Sequence, residues 1–373
     1  MNVLLTGGGT GGHVYPALAL AEALRRQDPG CRLLFAGSRA GMEAALVPAA
    51  GIPFAGLAVR PPRSRAPLRA LVSLASVGMS LGQAAMVVAR FRPSVIVATG
   101  GIAALPVVMA GAVFAAPVVV LEGNAVPGRA NRALIRFSRC VAVGSDAAAA
   151  GIPAGRAAVT GLPIRREVYS GSRAEGISAF GLDPNRRTVL IIGGSQGAAR
   201  LNQAAVDALA LLAHRGDVQV LHQVGRGWSG SGDAGPAPVP TGAVGYVRVP
   251  YLEHVGLAYA CADVVVSRCG ANALAEITAC GLPSILVPYP HAAEDHQAHN
   301  AVPLVAAGAA VLLPDARLTG QTLAGEIAGL LDAPERLRAM AERARSQGRP
   351  DATEQVVALI VQLAHPAPEE VRG

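Results

Sequence analysis

The sequence predicts an α/β protein built from two doubly wound parallel-sheet domains. Three observations carry this. Short apolar runs alternate with helix-like stretches along the whole chain. A glycine-rich turn joins strand to helix twice, at Gly7–Pro16 and again at Gly193–Ala198. Finally, about half of the 373 residues are apolar (51%) but only 3% are aromatic, so Ala, Val, Leu and Gly dominate, which suits close helix–strand packing.

In the first half, runs at Val3–Leu5, Arg32–Phe35, Val95–Ala98, Val118–Leu121 and Cys140–Val143 read as buried parallel strands. Helical patterns lie near Pro16–Arg26, Gly41–Ala50, Pro67–Arg90, Ile102–Ala115 and Arg129–Arg136. The second half repeats the theme. Strands are expected at Thr188–Ile192, Val218–His222, Val244–Val247, Val264–Ser267, Ser284–Val287 and Ala309–Leu312. Helices are expected from the second glycine turn to about Ala213, then near Leu252–Ala260, Asn272–Cys280, Asp295–Ala307 and Leu318–Leu331, with terminal helices over Asp332–Ala364. Ser229–Thr241 is rich in Gly, Pro and Ser and reads as a surface loop. Gly161 and Pro163 mark the junction of the halves. The expected division is 1–162, 163–349, and a C-terminal segment 350–373 whose helix packs back toward the first domain and whose end frays.

Composition excludes several classes. The five cysteines are scattered without a Cys-x-x-Cys pair, so neither a disulfide framework nor a zinc site is expected. The net charge of +7 fits phosphorylated substrates or anionic lipid better than nucleic acid, since no basic-aromatic motif accompanies it. The chain enters a strand by residue 3, which predicts no signal peptide. Ala70–Ala89 carries no charge and competes as a membrane span, but its serines, glycines and Gln83 make its hydrophobicity mild. A helix partly buried, with one apolar strip left exposed, is the favoured reading. Arg60, Arg63, Arg65 and Arg69 at one end and Arg90 and Arg92 at the other suit anionic headgroups; a core helix with solvated arginines is the alternative.

Glycine turns between strand and helix cradle phosphates, because backbone N–H groups and the helix dipole favour an anion. Neither turn is a Walker A, and neither matches Gly-x-Gly-x-x-Gly followed by an acidic strand end. Two such turns imply a nucleotide-type donor in one half and a phosphorylated acceptor in the other. They also imply a site between the domains at the C-terminal ends of both sheets. His13 closes the first turn, where a proton-transfer group would serve.

The residues that narrow this are Gly-Gly-Gly-Thr-Gly-Gly-His-Val-Tyr-Pro at 7–16, Gly-Gly-Ser-Gln-Gly-Ala at 193–198, and Ser267-Arg268-Cys269-Gly270 with Glu276 beyond. Asp295-His296-Gln297 with Asn300-Ala301, and Pro350-Asp351-Ala352-Thr353, complete the set. In this order they resemble the MurG family of lipid-linked N-acetylglucosaminyltransferases, from the first strand to about Thr353. The resemblance implies a GT-B fold, two Rossmann-like domains facing a central cleft. The first would bind acceptor and membrane, the second a UDP sugar. It implies inverting transfer of N-acetylglucosamine from UDP-GlcNAc to the C4 hydroxyl of N-acetylmuramoyl-pentapeptide on undecaprenyl diphosphate (lipid I), in peptidoglycan synthesis. The place would be the cytoplasmic face of the inner membrane, with cell-wall and division proteins as partners.

By the same resemblance Thr10, Gly11, Gly12, His13, Asn124 and Asn131 border the acceptor, and Thr10, Gly11, Gly12 and Asn124 count on the donor side as well. Arg165 and Ser195 fall at the UDP phosphates, Leu252 at uracil, Glu276 at the ribose hydroxyls, and His296 and Gln297 at the sugar. His13 is the candidate base or proton relay; capping its helix or binding phosphate are the other roles open to it. Glu276 as an exposed helix residue, Ser195 as a turn former and Arg268 as a surface cation are the bland readings. Gln297 is expected to read a sugar hydroxyl with both donor and acceptor. No Asp-x-Asp occurs, so no metal is required, and Mg²⁺ stays open as a phosphate counterion. Leu121, Gly123, Leu162, Ala273 and His296 depart from residues common in the family. They leave two alternatives standing: a transferase for another lipid, such as diacylglycerol, and a non-catalytic nucleotide-sugar-binding scaffold.

Overall fold

The computed structural model describes residues 1–59, 67–194, 197–228 and 244–365, with the side chains of 67–75 and 77 outside the description. Arg60, Arg63, Arg65, the Arg69 side chain, Ser195, the segment 229–241 and the terminal residues 366–373, where fraying is expected, therefore lie outside the described residues. The chain divides into two compact units: Met1–Arg165 with Asp351–Gly373, and Arg166–Pro350.

The first unit holds β1 (Asn2–Thr6), β2 (Arg32–Ser38), β3 (Phe54–Leu57), β4 (Val95–Ala98), β5 (Val118–Glu122), β6 (Cys140–Val143) and β7 (Ala157–Val159) in the order β3-β2-β1-β4-β5-β6-β7. The second holds β8 (Arg187–Ile192), β9 (Val218–Gln223), β10 (Gly245–Val249), β11 (Val264–Ser267), β12 (Ser284–Leu286) and β13 (Ala310–Leu312) in the order β10-β9-β8-β11-β12-β13. Every pairing among the described residues is parallel. Helices on both faces bury the strands, which is why they read as continuous apolar runs. In each sheet the order reverses beside its first strand, at β1/β4 and at β8/β11. Ligands of such sheets sit at that reversal, off the C-terminal strand ends.

Some elements differ from the sequence reading. The edge strands β3 and β7 and the helices Asp146–Ala149 and Arg173–Phe180 are additions. The expected helix over Ile102–Ala115 is a 3-10 turn, Ile102–Ala104, followed by an α-helix, Leu105–Val113, with Pro106 in its first turn. The helix expected from Leu252 starts at Val255, so Leu252 sits in the preceding loop.

The last helix, Ala352–Ala364, lies against the helix Gly11–Gln27. Val356, Val357 and Ile360 join the same core as Val3, Leu5 and Leu20. Thr353 Oγ1 donates to the Ile164 carbonyl at 2.9 Å and faces the Ile164 N–H at 3.2 Å. This pairing holds Pro163, Ile164 and Arg165 with the first unit, although the sequence reading began the second domain at 163.

The helix Pro67–Phe91 buries Ser80, Ala84 and Val88, spaced four residues apart on one face, and exposes Met79 and Met86. Among the described residues no helix is long and apolar enough to cross a membrane.

Candidate active site

In the first unit β1 ends at Thr6 and the helix begins at Gly11, so the glycine turn sits at the β1/β4 reversal. Glu43, fully buried, holds the turn from behind: Oε2 accepts from the Gly9 N–H at 3.1 Å and Oε1 from the Ser38 N–H at 3.0 Å. A Cβ on Gly8 would lie 2.1 Å from Glu43 Oε1, and the Gly8 φ is +152°, so only glycine fits.

His13 Nδ1 lies 2.9 Å from the Gly8 carbonyl and 3.4 Å from Thr10 Oγ1. A carbonyl only accepts, so Nδ1 carries the ring proton and Nε2 is the basic nitrogen. Burial lowers the His13 pKa, against smaller upward pulls from the Gly8 carbonyl and Glu43. The ring is therefore neutral at neutral pH. The Gly8 carbonyl precedes the helix, so this ring bond caps no helical N–H. On the far side the ring edge meets Gly100, where a Cβ would lie 2.9 Å from Nε2 and 2.9 Å from Asn131 Oδ1.

The two asparagines converge on a carboxylate that sequence reasoning passed over. Glu122, 1% exposed, accepts at Oε1 from the Asn124 N–H at 2.8 Å and Asn124 Nδ2 at 3.1 Å. Its Oε2 accepts from Asn131 Nδ2 at 2.8 Å, and that amide also donates to the Leu121 carbonyl at 3.1 Å. Burial raises the Glu122 pKa, and these donors oppose it. Asn131 is itself buried, and its Oδ1 has no hydrogen-bond partner among the described residues. Leu121 is 3% exposed in the core, so its departure from the family pattern bears on packing. The Arg165 guanidinium lies 5.0 Å from the Tyr15 ring centroid, in the same unit.

In the second unit Gly193 and Gly194 follow β8, and the helix Ala199–Leu211 leads away. Gln223 Nε2 bonds the carbonyls of Gly194 at 3.1 Å and Pro250 at 3.3 Å, tying this turn to the loop that carries Leu252. Leu252 is buried, its side chain packed in the core of this unit.

Arg268 is no surface cation. Nη1 donates to Asp315 Oδ1 at 2.7 Å, Pro288 O at 3.1 Å and Val287 O at 3.2 Å, and both members of the pair are buried. The buried pair clamps the loops beyond β11 and β12. Gln297 also departs from its expected use. Its Oε1 accepts from the backbone N–H groups of Cys269 and Tyr289, each at 3.0 Å. Both lone pairs are engaged, so only its NH₂ remains to meet a sugar. His296 Nδ1 donates to the Ala293 carbonyl at 2.7 Å, which leaves Nε2 basic. Glu276 is partly buried and accepts from the Tyr259 hydroxyl at 3.0 Å. Among the described residues no three His, Cys, Asp or Glu side chains gather as a metal-holding group.

Glu43, Glu122, Gln223 and Tyr259 were not singled out by sequence. Each lies within a helix or strand pattern and carries no motif of its own. The one available signal was Glu122 beside Asn124, a carboxylate at a strand end.

Comparison with known proteins gives a consistent result. Residues 3–143 match the Glycosyltransferase family 28 N-terminal domain and residues 188–356 its C-terminal domain. A protein of Desulfitobacterium hafniense (strain DSM 10664 / DCB-2) is 40% identical over 370 residues, covering 98% of this chain and 100% of its own. One of Moorella thermoacetica (strain ATCC 39073 / JCM 9320) is 41% identical, covering 97% and 98%. Both are named UDP-N-acetylglucosamine--N-acetylmuramyl-(pentapeptide) pyrophosphoryl-undecaprenol N-acetylglucosamine transferase. The crystal structure of Acinetobacter baumannii MurG matches with TM-score 0.75 and 26% identity over 97% of this chain and 99% of that one. A UDP-GlcNAc 2-epimerase of Neisseria meningitidis bound to UDP-GlcNAc has TM-score 0.67 at 14% identity, a likeness of fold alone. With two Rossmann-like units in the GT-B arrangement of elements and full-length relatives at this identity, the chain belongs to the MurG family of N-acetylglucosaminyltransferases within glycosyltransferase family 28.

Proposed function

We infer that this chain transfers N-acetylglucosamine from UDP-GlcNAc to the muramoyl C4 hydroxyl of lipid I. The full-length likeness to transferases of that name carries the reading. Inversion needs one displacement at the anomeric carbon. The acceptor oxygen forms the new bond as the bond to UDP breaks, and the hydroxyl proton must leave.

His13 is the base in this reading. Its Nδ1 is occupied by the Gly8 carbonyl, its Nε2 is basic, and burial keeps it unprotonated near neutral pH. The N-terminus of the helix Gly11–Gln27 supports the acceptor diphosphate with Thr10, Gly11 and Gly12. Asn124, held by Glu122, lies with the acceptor. Asn131 contributes by fixing Glu122. Arg165 and Ser195 are assigned to the departing diphosphate and Leu252 to uracil. Glu276 takes the ribose, and His296 and the NH₂ of Gln297 take the sugar. Mg²⁺ is assigned no more than the counterion's part on the diphosphate.

The acceptor's lipid keeps it in a bilayer, so the enzyme acts at the cytoplasmic membrane surface. In support, exposed Met79 and Met86 lie on a helix packed against Leu105–Val113, and Val113 and Phe114 at the end of that second helix are exposed. The arginines at 60, 63, 65 and 69 add charge complementary to anionic headgroups.

UDP release tests the reading. Purified protein receives UDP-GlcNAc with lipid I, with diacylglycerol, or with neither. Release with lipid I alone is expected. Release with diacylglycerol instead would assign another lipid acceptor, and silence with both would make the chain a binding protein.

A further inference from the structure

Tyr259 lies on the helix Val255–Cys261 and Glu276 on the helix Ala271–Ala279. The tyrosine is 2% exposed and is among the largest buried side chains of the second unit. It belongs to the same buried core as Leu190, Leu221 and Ile277, a place a phenylalanine would fill equally well. What phenylalanine lacks is the O–H that reaches Glu276 Oε2 at 3.0 Å. Burial, followed by the nearby Glu276 and Cys280, holds the phenol well above its ordinary range, so it stays a donor at any working pH.

A glutamate on a helix surface samples several rotamers, and a ligand that needs one of them bears the ordering cost. Here the bond from below bears it at folding. The bond from Tyr259 is made at Oε2, and a carboxylate presents about four lone-pair positions over its two oxygens.

We propose that Tyr259 is a positioning residue, which aims the Glu276 carboxylate at the vicinal diol of the donor's ribose and so sets the preference for a ribonucleotide over a deoxyribonucleotide. The inference rests on the assignment of Glu276 to the ribose. It makes nucleotide selectivity a property of two residues, only one of which touches the ligand.

The test compares UDP with 2′-deoxy-UDP by calorimetry on the full chain, its Y259F variant and its E276Q variant. Y259F is expected to lose about tenfold in UDP affinity, the worth of one hydrogen bond to a charged group. It should lose much less for 2′-deoxy-UDP, so the ratio of the two affinities falls. In turnover, the KM for UDP-GlcNAc should rise while kcat and the acceptor KM stay within about twofold, because no transition-state contact is removed. The ratio is read on folded protein only and is unaffected by loss of material. If Y259F keeps the wild-type ratio while E276Q collapses it, Tyr259 does not position the carboxylate and the proposal falls alone. If E276Q also keeps the ratio, the ribose assignment of Glu276 falls and takes the proposal with it.

Discussion

His13 has two ring nitrogens with different duties. The Gly8 carbonyl takes one, and that choice makes the other a base. His13→Ala should lower kcat by ~10²–10⁴-fold with the donor KM little changed, the usual range for a lost general base. Steady-state kinetics with both substrates saturating checks it; near-normal turnover would end the assignment. Because burial lowers the His13 pKa, protonation silences the base only below pH 6.5, so the acid limb of kcat/KM should lie there. Activity should be flat across neutrality and fall as pH drops. His222 gives a separate signature in stability. It is buried between Tyr246 and Asn202, and burial depresses its pKa from 6.5 to about 4. The unfolded chain then binds more protons than the folded one between those values. Stability is full above pH 6.5 and declines as pH falls toward 4, by up to about 3 kcal/mol. Urea midpoints measured across that window, steeper in the wild type than in His222→Gln, check it. At this scale the sequence showed the groups proposed to meet ligands, since His13, Asn124 and Gln297 belong to its recognisable motifs. It hid the groups that hold them: Glu43 meets the first turn from 34 positions away, and Glu122, although only two residues from Asn124, carries no motif of its own. Nor could it show that the Gln297 oxygen is engaged by two backbone N–H groups.

Elements turn these residues into sites. The first glycine turn has a carboxylate where a side chain would go, so Gly8→Ala must displace either Glu43 or the loop. Turnover should fall more than 100-fold (about 3 kcal/mol) while UDP affinity, assigned mainly to residues of the second unit, changes far less. Calorimetry beside the turnover assay separates the two. Long central strands were legible because burial on both faces makes them uninterrupted apolar runs. The edge strands β3 and β7 were not. Phe54–Leu57 contains a glycine, Ala157–Val159 is three residues long, and both are only partly buried along most of their length. Most helix ends shifted by a residue or two, but the first helix starts five residues earlier than expected, at Gly11, and the helix expected from Leu252 starts three residues later, at Val255. The change at Ile102–Ala104 follows from Pro106, which favours the first turn of a new helix over the middle of an old one.

At the scale of the molecule, two sheets share one strand logic, and each places a glycine turn at its reversal point. That much followed from the alternation of runs and turns. The path of the chain between the units was harder to read, since it depends on Thr353 meeting Ile164 across 189 positions of sequence. The charge of the whole chain has its own consequence. Replacing Arg63, Arg65 and Arg69 together with glutamate should weaken cosedimentation with anionic liposomes about 100-fold or more, at roughly 1 kcal/mol per basic residue near the surface. Unchanged binding would detach the arginines from membrane contact. Deep in the first unit, Ile360→Ala should cost about 2–4 kcal/mol, seen as an earlier denaturation midpoint for that unit.

The last helix also orders events on the ribosome. The unit from Arg166 to Pro350 is one continuous stretch and can close its core as soon as it has been made. The unit that begins at Met1 cannot, because Val356, Val357 and Ile360 belong to its core and emerge only after the whole second unit. The half of the enzyme synthesised first is thus the half completed last. A chain cut after Pro350 would carry a second unit with its whole core and a first unit still open to chaperones and proteases.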